Sequence, residues 1–241
     1  MEKGLALGGW VGEIGRMFEV EEYLDPGHTA HRGIFEGVGR VWEVLSKIGP
    51  YLQFRLEPGL HGELIGKPFV GPRVYIGEGT VVEPGATIKG PAWIGRGCQI
   101  RSGCYIRENV ILGDGVVAGN SSEFKNCLVF DGAEVPHFNY VGDSVLGYRA
   151  HLGAGVILSN VRLDRGEVVV TGPGGAVPTG LKKFGAVVGD HAEVGCNAVL
   201  SPGSLIGKRS LVYPGVQWRG VLPAHRIARL RQEIDVVPRR E

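Results

Sequence analysis

The sequence predicts an all-β protein built around a parallel β-helix of about seven coils. The first observation is a period of six residues, on which a large apolar residue recurs, and the second is a mostly small residue four places later. A period of six fits neither an α-helix nor plain strand alternation, and it is typical of a β-helix made of hexapeptides. The large positions are Val70, Ile76, Val82, Ile88, Ile94, Ile100, Ile106, Leu112, Ala118 and Phe124. The smaller positions are Val74, Thr80, Ala86, Ala92, Cys98, Cys104, Val110, Val116, Ser122 and Leu128.

The third observation is the placement of glycine. The chain has 41 glycines, and many follow the large residue of a hexad, as Gly71, Gly77 and Gly95 do. Glycine lets the backbone turn a corner without a Cβ penalty. Three short strands separated by such corners close one triangular coil, and coils stack at about 4.8 Å. Each buried Val, Ile or Leu stabilises the stack by roughly 1.5–3 kcal/mol.

Residues 1–60 lack the hexad and predict a helical cap. Apolar residues at helical spacing predict an amphipathic helix over residues 32–49, which Gly49 and Pro50 end, and a second short helix over residues 51–56. We expect this segment to cover the open edge of the first coil. The alternative is a module that binds a substrate or a partner.

The β-helix is predicted over residues 61–222, with one interruption. Between residues 161 and 185 the hexad stops, and these 25 or so residues predict a protruding loop with a small hairpin around residues 168–170. Loops of this length are often functional. The hexad returns at Val188. In the last segment, residues 223–241, apolar spacing predicts a capping helix over residues 224–234.

Composition excludes several classes of function. A net charge of +1 does not favour binding to nucleic acid or to an anionic membrane. The apolar run near residues 5–11 is too short for a signal peptide or a membrane span, so we expect a cytoplasmic protein. Cysteines without CxxC spacing predict buried, reduced thiols and no zinc site. These are Cys98, Cys104, Cys127 and Cys196.

A metal site is not expected from the histidines either. His28 and His31 have a spacing that can bind a metal, but no third ligand is evident near them. His137, His151 and His191 lie on neighbouring coils, and they lack the close-spaced histidine pair of the hexapeptide carbonic anhydrases.

One stretch is more specific than the hexad itself. Residues 123–160 read EFKNCLVFDGAEVPHFNYVGDSVLGYRAHLGAGVILSN, and TGLKKFGAVVGD follows the loop. Residues 70–216 resemble the acetyltransferase domain of the bifunctional N-acetylglucosamine-1-phosphate uridyltransferase and glucosamine-1-phosphate acetyltransferase. They are also similar to β-helix proteins linked to nucleotidyltransferases. The resemblance identifies the left-handed β-helix, hexapeptide-repeat acyltransferase superfamily, and it implies a left-handed coil and a homotrimer with sites between neighbouring subunits.

The resemblance also implies roles for individual residues. His137 matches the general base, and an imidazole suits that role because it is mostly neutral at cellular pH yet accepts a proton. The positions that match substrate-binding residues are Lys125, Tyr140, Asn160, His151, where the family has Asn, and either Arg101 or Arg107. The positions that match acetyl-CoA-binding residues are Gly153, Ala154, Gly155 and Cys196, where the family has Ser. Backbone N–H groups at the glycine triplet are candidates for binding the thioester oxyanion, and Lys182 and Lys183 for binding the CoA phosphates.

The leading interpretation is a transferase that moves an acetyl or other acyl group from acyl-CoA to an amino or hydroxyl group of a sugar phosphate or nucleotide sugar. One alternative is a non-catalytic trimeric scaffold, or a regulatory partner of a separate sugar-1-phosphate nucleotidyltransferase. A third possibility is a β-helix that only presents the loop at residues 161–185 to a partner.

Overall fold

The computed structural model describes residues 16–172, 174–231 and 234–239, and short parallel strands dominate it. One α-helix, α1 (Val44–Arg55), and four 3-10 turns at Val20–Glu22, Pro26–His28, Arg32–Phe35 and Val41–Glu43 precede the strands. The strands are β1 (Gly59–Leu60), β2 (Glu63–Leu64), β3 (Phe69–Val70), β4 (Val74–Ile76), β5 (Val81–Val82), β6 (Thr87–Ile88), β7 (Ala92–Ile94), β8 (Gln99–Ile100), β9 (Tyr105–Ile106), β10 (Val110–Leu112), β11 (Val117–Asn120), β12 (Glu123–Lys125), β13 (Cys127–Val129), β14 (Glu134–His137), β15 (Tyr140–Gly142), β16 (Val145–Leu146), β17 (His151–Leu152), β18 (Ile157–Leu158), β19 (Val169–Gly172), β20 (Gly175–Pro178), β21 (Ala186–Val188), β22 (Glu193–Val194), β23 (Val199–Leu200), β24 (Ser204–Ile206), β25 (Leu211–Val212), β26 (Gln217–Trp218), β27 (Val221–Leu222) and β28 (Ile227–Ala228).

These strands wind into a parallel β-helix with three sheets, and each full coil adds one strand to each sheet. Sheet A has the order β1-β4-β7-β10-β13-β16-β21-β24-β27, and sheet B has the order β2-β5-β8-β11-β14-β17-β22-β25-β28. Sheet C runs β26-β23-β18-β15-β12-β9-β6-β3. The predicted all-β class is confirmed, and the stack has about nine turns where the hexad predicted seven. The extra turns are the end coils, whose residues depart from the repeat.

The hexad correctly predicts the interior. Its large and small positions fill the triangular core, and residues such as Ile76, Ile94 and Phe124 are fully buried. An early coil takes 18 residues, from Val74 to Ala92, whereas the coil from Val110 to Cys127 takes 17. A shortened coil changes the corner that follows β12, and this is where the candidate site lies.

The N-terminal segment packs on the outer face of sheet A, and not over the first coil as predicted. The reason is a column of apolar residues that point outward from this sheet, which the N-terminal segment and the loop hairpin cover. Leu60 and Phe69 of the first coil remain 52% and 58% exposed. The outward column is Tyr75, Trp93, Ile111, Leu128, Val145, Val187, Leu205 and Val221.

The predicted helix boundaries in this segment are wrong. Residues 32–35 form only a 3-10 turn, because Gly37 adopts a φ of +68° and interrupts the helical path. The α-helix begins later, at Val44, and continues through Pro50 to Arg55. Burial of Leu45, Ile48 and Leu52 against sheet A holds it together across the proline.

Two further predictions need correction. The excursion at residues 161–185 does contain the expected hairpin, formed by β19 and β20. Instead of protruding, however, the hairpin lies back on sheet A, with Val168 and Val170 buried there. Residues 227–228 form strand β28, and not the capping helix predicted over residues 224–234. Ala228 fills the core as the last inward residue, and apolar residues at i and i+3 there imitate a helical pattern.

Three of the four cysteines are buried as predicted, and Cys196 is exposed because it lies at a corner. Within the described residues, no helix combines the length and apolar character needed to cross a membrane.

Candidate functional site

A polar cluster occupies the outer face of sheet C where the shortened coils meet. The pairing of β9, β12, β15 and β18 places Arg107, Lys125, Tyr140 and Asn160 on successive coils. We call Arg107, Glu123, Lys125, Tyr140, Asp143 and Asn160 the sheet C cluster. The structure therefore brings together four of the predicted substrate-binding residues.

Asp143 holds this cluster together. Its carboxylate accepts hydrogen bonds from Lys125 Nζ at 3.3 Å, Asn126 Nδ2 at 3.0 Å and Asn160 Nδ2 at 2.5 Å. The Asp143 side chain is only 6% exposed, so its charge is paired within the protein. Such buried carboxylates require partners. Asp143 is thus a structural anchor for the two predicted ligands Lys125 and Asn160.

Tyr140 and Asn160 lie over a glycine. Asn160 Nδ2 is 3.2 Å from Tyr140 Oη, and a Cβ on Gly142 would come within 2.4 Å of the Tyr140 hydroxyl. Burial raises the pKa of Tyr140 above its ordinary value, so the hydroxyl stays protonated at neutral pH. The absence of a side chain at Gly142 is what allows this pair to form.

The two candidate arginines lie on different sheets. Arg107 follows β9 on sheet C and forms a 2.9 Å ion pair with Glu123, which itself pairs with Tyr140 across the sheet. This hydrogen bond raises the pKa of Arg107. Arg101 follows β8 on sheet B and donates to Gln99 instead. Arg107 is therefore the arginine of the sheet C cluster.

His137 ends β14 at the corner between sheets B and C, and its side chain is exposed. Its backbone is fixed on both sides. The N–H donates to Asn139 Oδ1 at 3.1 Å, and the carbonyl accepts from the Gly155 N–H at 3.1 Å. Buried Asn139 also donates to the Gly153 carbonyl at 2.7 Å. The imidazole thus stands on a rigid corner, open to solvent.

The glycine triplet and Cys196 lie at the same corner on the next two coils. The Asn197 N–H donates to the Ala154 carbonyl at 2.8 Å, and a Cβ on Gly153 would lie 3.1 Å from Cys196 Sγ. His137, the triplet and Cys196 therefore form a continuous strip of three coils, which we call the corner strip.

Two of the three N–H groups of the triplet are not available for the suggested oxyanion role. The N–H groups of Gly153 and Gly155 donate to the carbonyls of Val194 and His137. Both donors are therefore occupied by the coil-to-coil ladder.

Three predicted residues lie apart from these two groups. His151 is on sheet B, where its strand runs between those of Glu134 and Glu193. Lys182 and Lys183 are exposed at the end of the excursion, just before Phe184, whose N–H donates to the Asn160 carbonyl. They lie beyond Asn160, at the opposite end of β18 from Gly155. The predicted cofactor residues therefore divide between two corners of the coil.

Sequence reasoning assigned no role to Asp143, Asn139 or Glu123. Asp143 is the last residue of the His-x-x-Tyr-x-Gly-Asp run, so the motif itself indicated a role for it. Asn139 had none, because only its burial shows that it fixes the backbone of His137. Among the described residues, no group of three or more His, Cys, Asp or Glu side chains is arranged to hold a metal ion.

Comparisons with known proteins find relatives over much of this chain. A family model described as the GMPPB C-terminal domain matches residues 88–180. The chain is 38% identical over 181 residues to the bifunctional protein GlmU of Methanococcus maripaludis strain S2, which is 75% of this chain and 44% of that protein. It is 39% identical over 95 residues to a bifunctional sugar-1-phosphate nucleotidylyltransferase/acetyltransferase of Sulfurisphaera tokodaii, which is 39% of this chain and 24% of the relative. The chain thus spans less than half of the length of these relatives.

Among solved structures, the acetyltransferase domain of PglB from Neisseria gonorrhoeae in complex with acetyl coenzyme A matches at 16% identity with a TM-score of 0.30. This match covers 66% of this chain and 50% of that one. The residues matched by the family model, 88–180, lie within the observed coils and the excursion. Over these residues the chain is therefore a relative of the GlmU proteins and of the family described as the GMPPB C-terminal domain.

Proposed function

We propose that this protein transfers an acyl group, acetyl in the simplest case, from acyl-CoA to an amino or hydroxyl group of a sugar phosphate or nucleotide sugar. The observation that carries the proposal is the position of His137. Its exposed imidazole stands at the corner where sheet C begins, with the rest of the corner strip on the next two coils and Tyr140 of the sheet C cluster three residues further along the chain. A base at that corner would serve an acceptor on sheet C and a thioester on the corner strip.

The sheet C cluster is the proposed acceptor site. Arg107 and Lys125 supply cations for a phosphate, and Tyr140 and Asn160 supply hydrogen-bonding groups for a sugar. Glu123 and Asp143 hold the two cations in place before the acceptor arrives. His151 lies outside this proposed pocket.

The corner strip is the proposed acyl-CoA site. Gly153, Ala154 and Gly155 present no bulky side chain, so the thin pantetheine arm can lie against the coil. The acceptor nitrogen or oxygen attacks the thioester carbonyl while His137 takes its proton, and the C–S bond then breaks to release CoA as a thiol. Lys182 and Lys183 lie at the other corner of the coil. They are therefore proposed to contact the phosphates of a CoA molecule that is bound to a neighbouring subunit. This arrangement requires the trimer that the family resemblance implies.

The test is CoA release, measured by thiol detection with acetyl-CoA and a panel of amino-sugar phosphates and nucleotide-linked amino sugars. With the acceptor that turns over, His137→Ala is expected to lower kcat by about 10²–10⁴-fold at an unchanged thermal midpoint. His61→Ala is the matched control, since His61 is an exposed histidine on the first coil. Unchanged turnover in His137→Ala rules out the proposed base.

A non-catalytic scaffold or regulatory partner is the second candidate. It is favoured by the match to the GMPPB C-terminal domain and by relatives whose names include a nucleotidylyltransferase activity. It predicts a stable complex with a separate sugar-1-phosphate nucleotidyltransferase and no CoA release with any acceptor. Acetyl-CoA-dependent turnover that requires His137 excludes it as the sole function.

A further inference from the structure

The corner between sheets A and B carries an unusual sequence of residues. From the second coil onward, each coil places one residue there with a positive φ, because the chain turns tightly between the two strands. The first four of these coils use glycine at this position, namely Gly79, Gly97, Gly115 and Gly132. The last four use basic or titratable side chains, namely Arg149, His191, Arg209 and His225, with φ between 51° and 57°. We call these four residues the corner ladder.

The hydrogen bonds confirm that these positions are equivalent. The N–H of the corner residue donates to a carbonyl on the preceding coil. That carbonyl belongs to the residue directly before the equivalent corner residue. Examples are Gly132 to Asp114, Arg149 to Asp131 and Arg209 to Asp190. The ladder therefore advances by one coil at a time, at about 4.8 Å per step. Its four side chains follow one edge of the β-helix over roughly 14 Å.

Arginine is poorly suited to this backbone conformation. The left-handed region costs roughly 1–2 kcal/mol for a residue with a Cβ, and glycine avoids that cost. At the other two corners most positive-φ positions hold glycine or a small polar residue, such as Gly85, Ser121 and Asn197. The ladder thus keeps long cationic side chains where the same fold elsewhere uses glycine or asparagine. Local folding does not explain that choice.

The ladder side chains lie close to one another in spite of their like charge. Burial, Arg209 and Arg149 all lower the pKa of His191. Arg149 lies over Gly132, where a Cβ would be 3.2 Å from its Cγ, and its guanidinium is 5.2 Å from the Tyr148 ring. Lys208, beside the ladder, is paired with Asp190 Oδ2 at 3.8 Å.

The carboxylates near the ladder are directed elsewhere. Asp190 is buried, and its oxygens accept from the N–H groups of Tyr148 and Asp25 at 2.8 and 2.7 Å. Asp131 accepts from the Asp114 N–H. Glu134 and Glu193 border a hollow on sheet B beside Arg149, so an anion is favoured on the ridge of the corner and not in that hollow.

We propose that the corner ladder binds an oligophosphate group, either free or carried by a nucleotide. Arginine pairs with phosphate oxygens through two parallel hydrogen bonds, and a chain of phosphates matches a row of cations better than a single phosphate does. This site is distinct from the proposed acyl-CoA site, because the corner strip runs along the corner between sheets B and C.

The test is calorimetric titration of the full chain with tripolyphosphate, ATP and orthophosphate at low ionic strength, where screening is weak. Saturable binding of tripolyphosphate at least tenfold tighter than orthophosphate is expected. Equal affinity for ATP indicates that only the phosphates are recognised, whereas tighter binding of ATP indicates a nucleotide. Absence of saturable oligophosphate binding overturns the proposal, as does binding of a poly-glutamate peptide in its place.

The decisive variant is Arg149→Gly with Arg209→Gly. It restores the residue that the first four coils use, so the thermal midpoint is expected not to fall, while affinity for tripolyphosphate falls at least tenfold. Arg149→Asn with Arg209→Asn gives a second version that tolerates positive φ. Unchanged affinity in both pairs overturns the proposal.

Two controls separate the ladder from other cations. Arg165→Gly removes an exposed arginine that also has a positive φ, 59°, but lies in the excursion. Lys125→Met removes the cation of the sheet C cluster. Arg165→Gly is expected to bind tripolyphosphate as the wild type does, whereas loss of binding in Lys125→Met together with unchanged binding in the ladder variants would place the anion on sheet C and overturn the proposal.

Discussion

The outer faces of sheets A and C have the same backbone and the same buried hexads, yet they serve different purposes. On sheet A the outward column is apolar throughout, from Tyr75 to Val221, and other parts of the chain cover it. On sheet C the outward positions between β9 and β18 hold the sheet C cluster, and Tyr140 and Lys125 remain partly accessible. Inward residues determine the coil, and outward residues determine what each face of the coil binds.

The largest expected loss of stability follows from a substitution on the covered outer face of sheet A. Trp42 is 1% exposed and lies 5.2 Å from Phe18 and 6.2 Å from Phe184, both measured between ring centroids. Trp42→Ala is expected to lower the free energy of unfolding by about 3–5 kcal/mol, measured by denaturant titration, because it opens a cavity beneath the cover. Phe54→Ala is the control, since Phe54 is 84% exposed. Equal losses in the two variants would mean that the cover contributes little.

Stability is also expected to depend on pH through the covered face. His31 is 4% exposed, hydrogen-bonded to Tyr51 and packed edge-on against Trp93, and burial lowers its pKa to about 4. The unfolded chain protonates this histidine near its ordinary pKa of about 6.5. The contribution of His31 to the free energy of unfolding is therefore complete above pH 6.5. This contribution is lost as the pH falls towards 4, at about 1.4 kcal/mol per pH unit.

The measurement is the free energy of unfolding between pH 7 and pH 4.5. His31→Gln is expected to remove most of this slope, because glutamine does not titrate in this range. Nearby Asp114 acts in the opposite direction, favouring the charged imidazole. A slope that persists in His31→Gln would assign the effect to other groups.

A smaller loss of stability is expected from a substitution on the uncovered outer face of sheet C. Asp143→Asn keeps the shape and tolerates the φ of 46°, but it removes the charge that pairs with Lys125. We expect a loss of about 1–3 kcal/mol in unfolding free energy together with a raised KM for the acceptor, because Lys125 and Asn160 lose their anchor. Glu193→Gln, an exposed carboxylate on sheet B, is the control. An unchanged KM would show that Asp143 does not position the cluster.

The difference between the two faces also explains what the sequence predicts well. The inward residues repeat every six positions, so the hexad predicted the core and the class of fold. The outward column of sheet A repeats about every 18 positions, as Tyr75, Trp93 and Ile111 do. A pattern of six residues does not reveal this longer period. For that reason the covering role of the N-terminal segment was missed. The apolar residues within 32–49 and 224–234 have helical spacing when each run is considered alone. The neighbouring coils, which decide the structure of each run, are not part of that local pattern.

The candidate site was predictable to the extent that its residues share a face. Arg107, Lys125, Tyr140 and Asn160 come together because they lie about one coil apart on sheet C. His151 lies on sheet B beside Glu134 and not above His137, because the step of 14 positions from His137 is shorter than the 17-position coil. Asn139 was not predictable, since its role depends on a buried hydrogen bond from its side chain to the Gly153 carbonyl.

The smallest expected stability change separates strain from function. Phe138 is 57% exposed with a φ of +40°, and it directly follows His137 at the corner strip. Its ring approaches Gly155, where a Cβ would lie 3.1 Å from Cε2. Phe138→Gly removes a backbone conformation that costs of order 1 kcal/mol, so the thermal midpoint is expected to stay level or rise slightly.

Activity is expected to change in the opposite direction in the same variant. The Phe138 ring lies against Gly155, with its centroid 6.5 Å from that of His137, so its loss is expected to lower kcat/KM about tenfold by loosening the position of the thioester. Arg165→Gly relieves the same kind of strain in the excursion and is expected to leave kcat/KM unchanged. If Phe138→Gly retains full activity, the strained residue is not part of the acyl-CoA site. The corner strip would then differ from the other corners only in carrying His137.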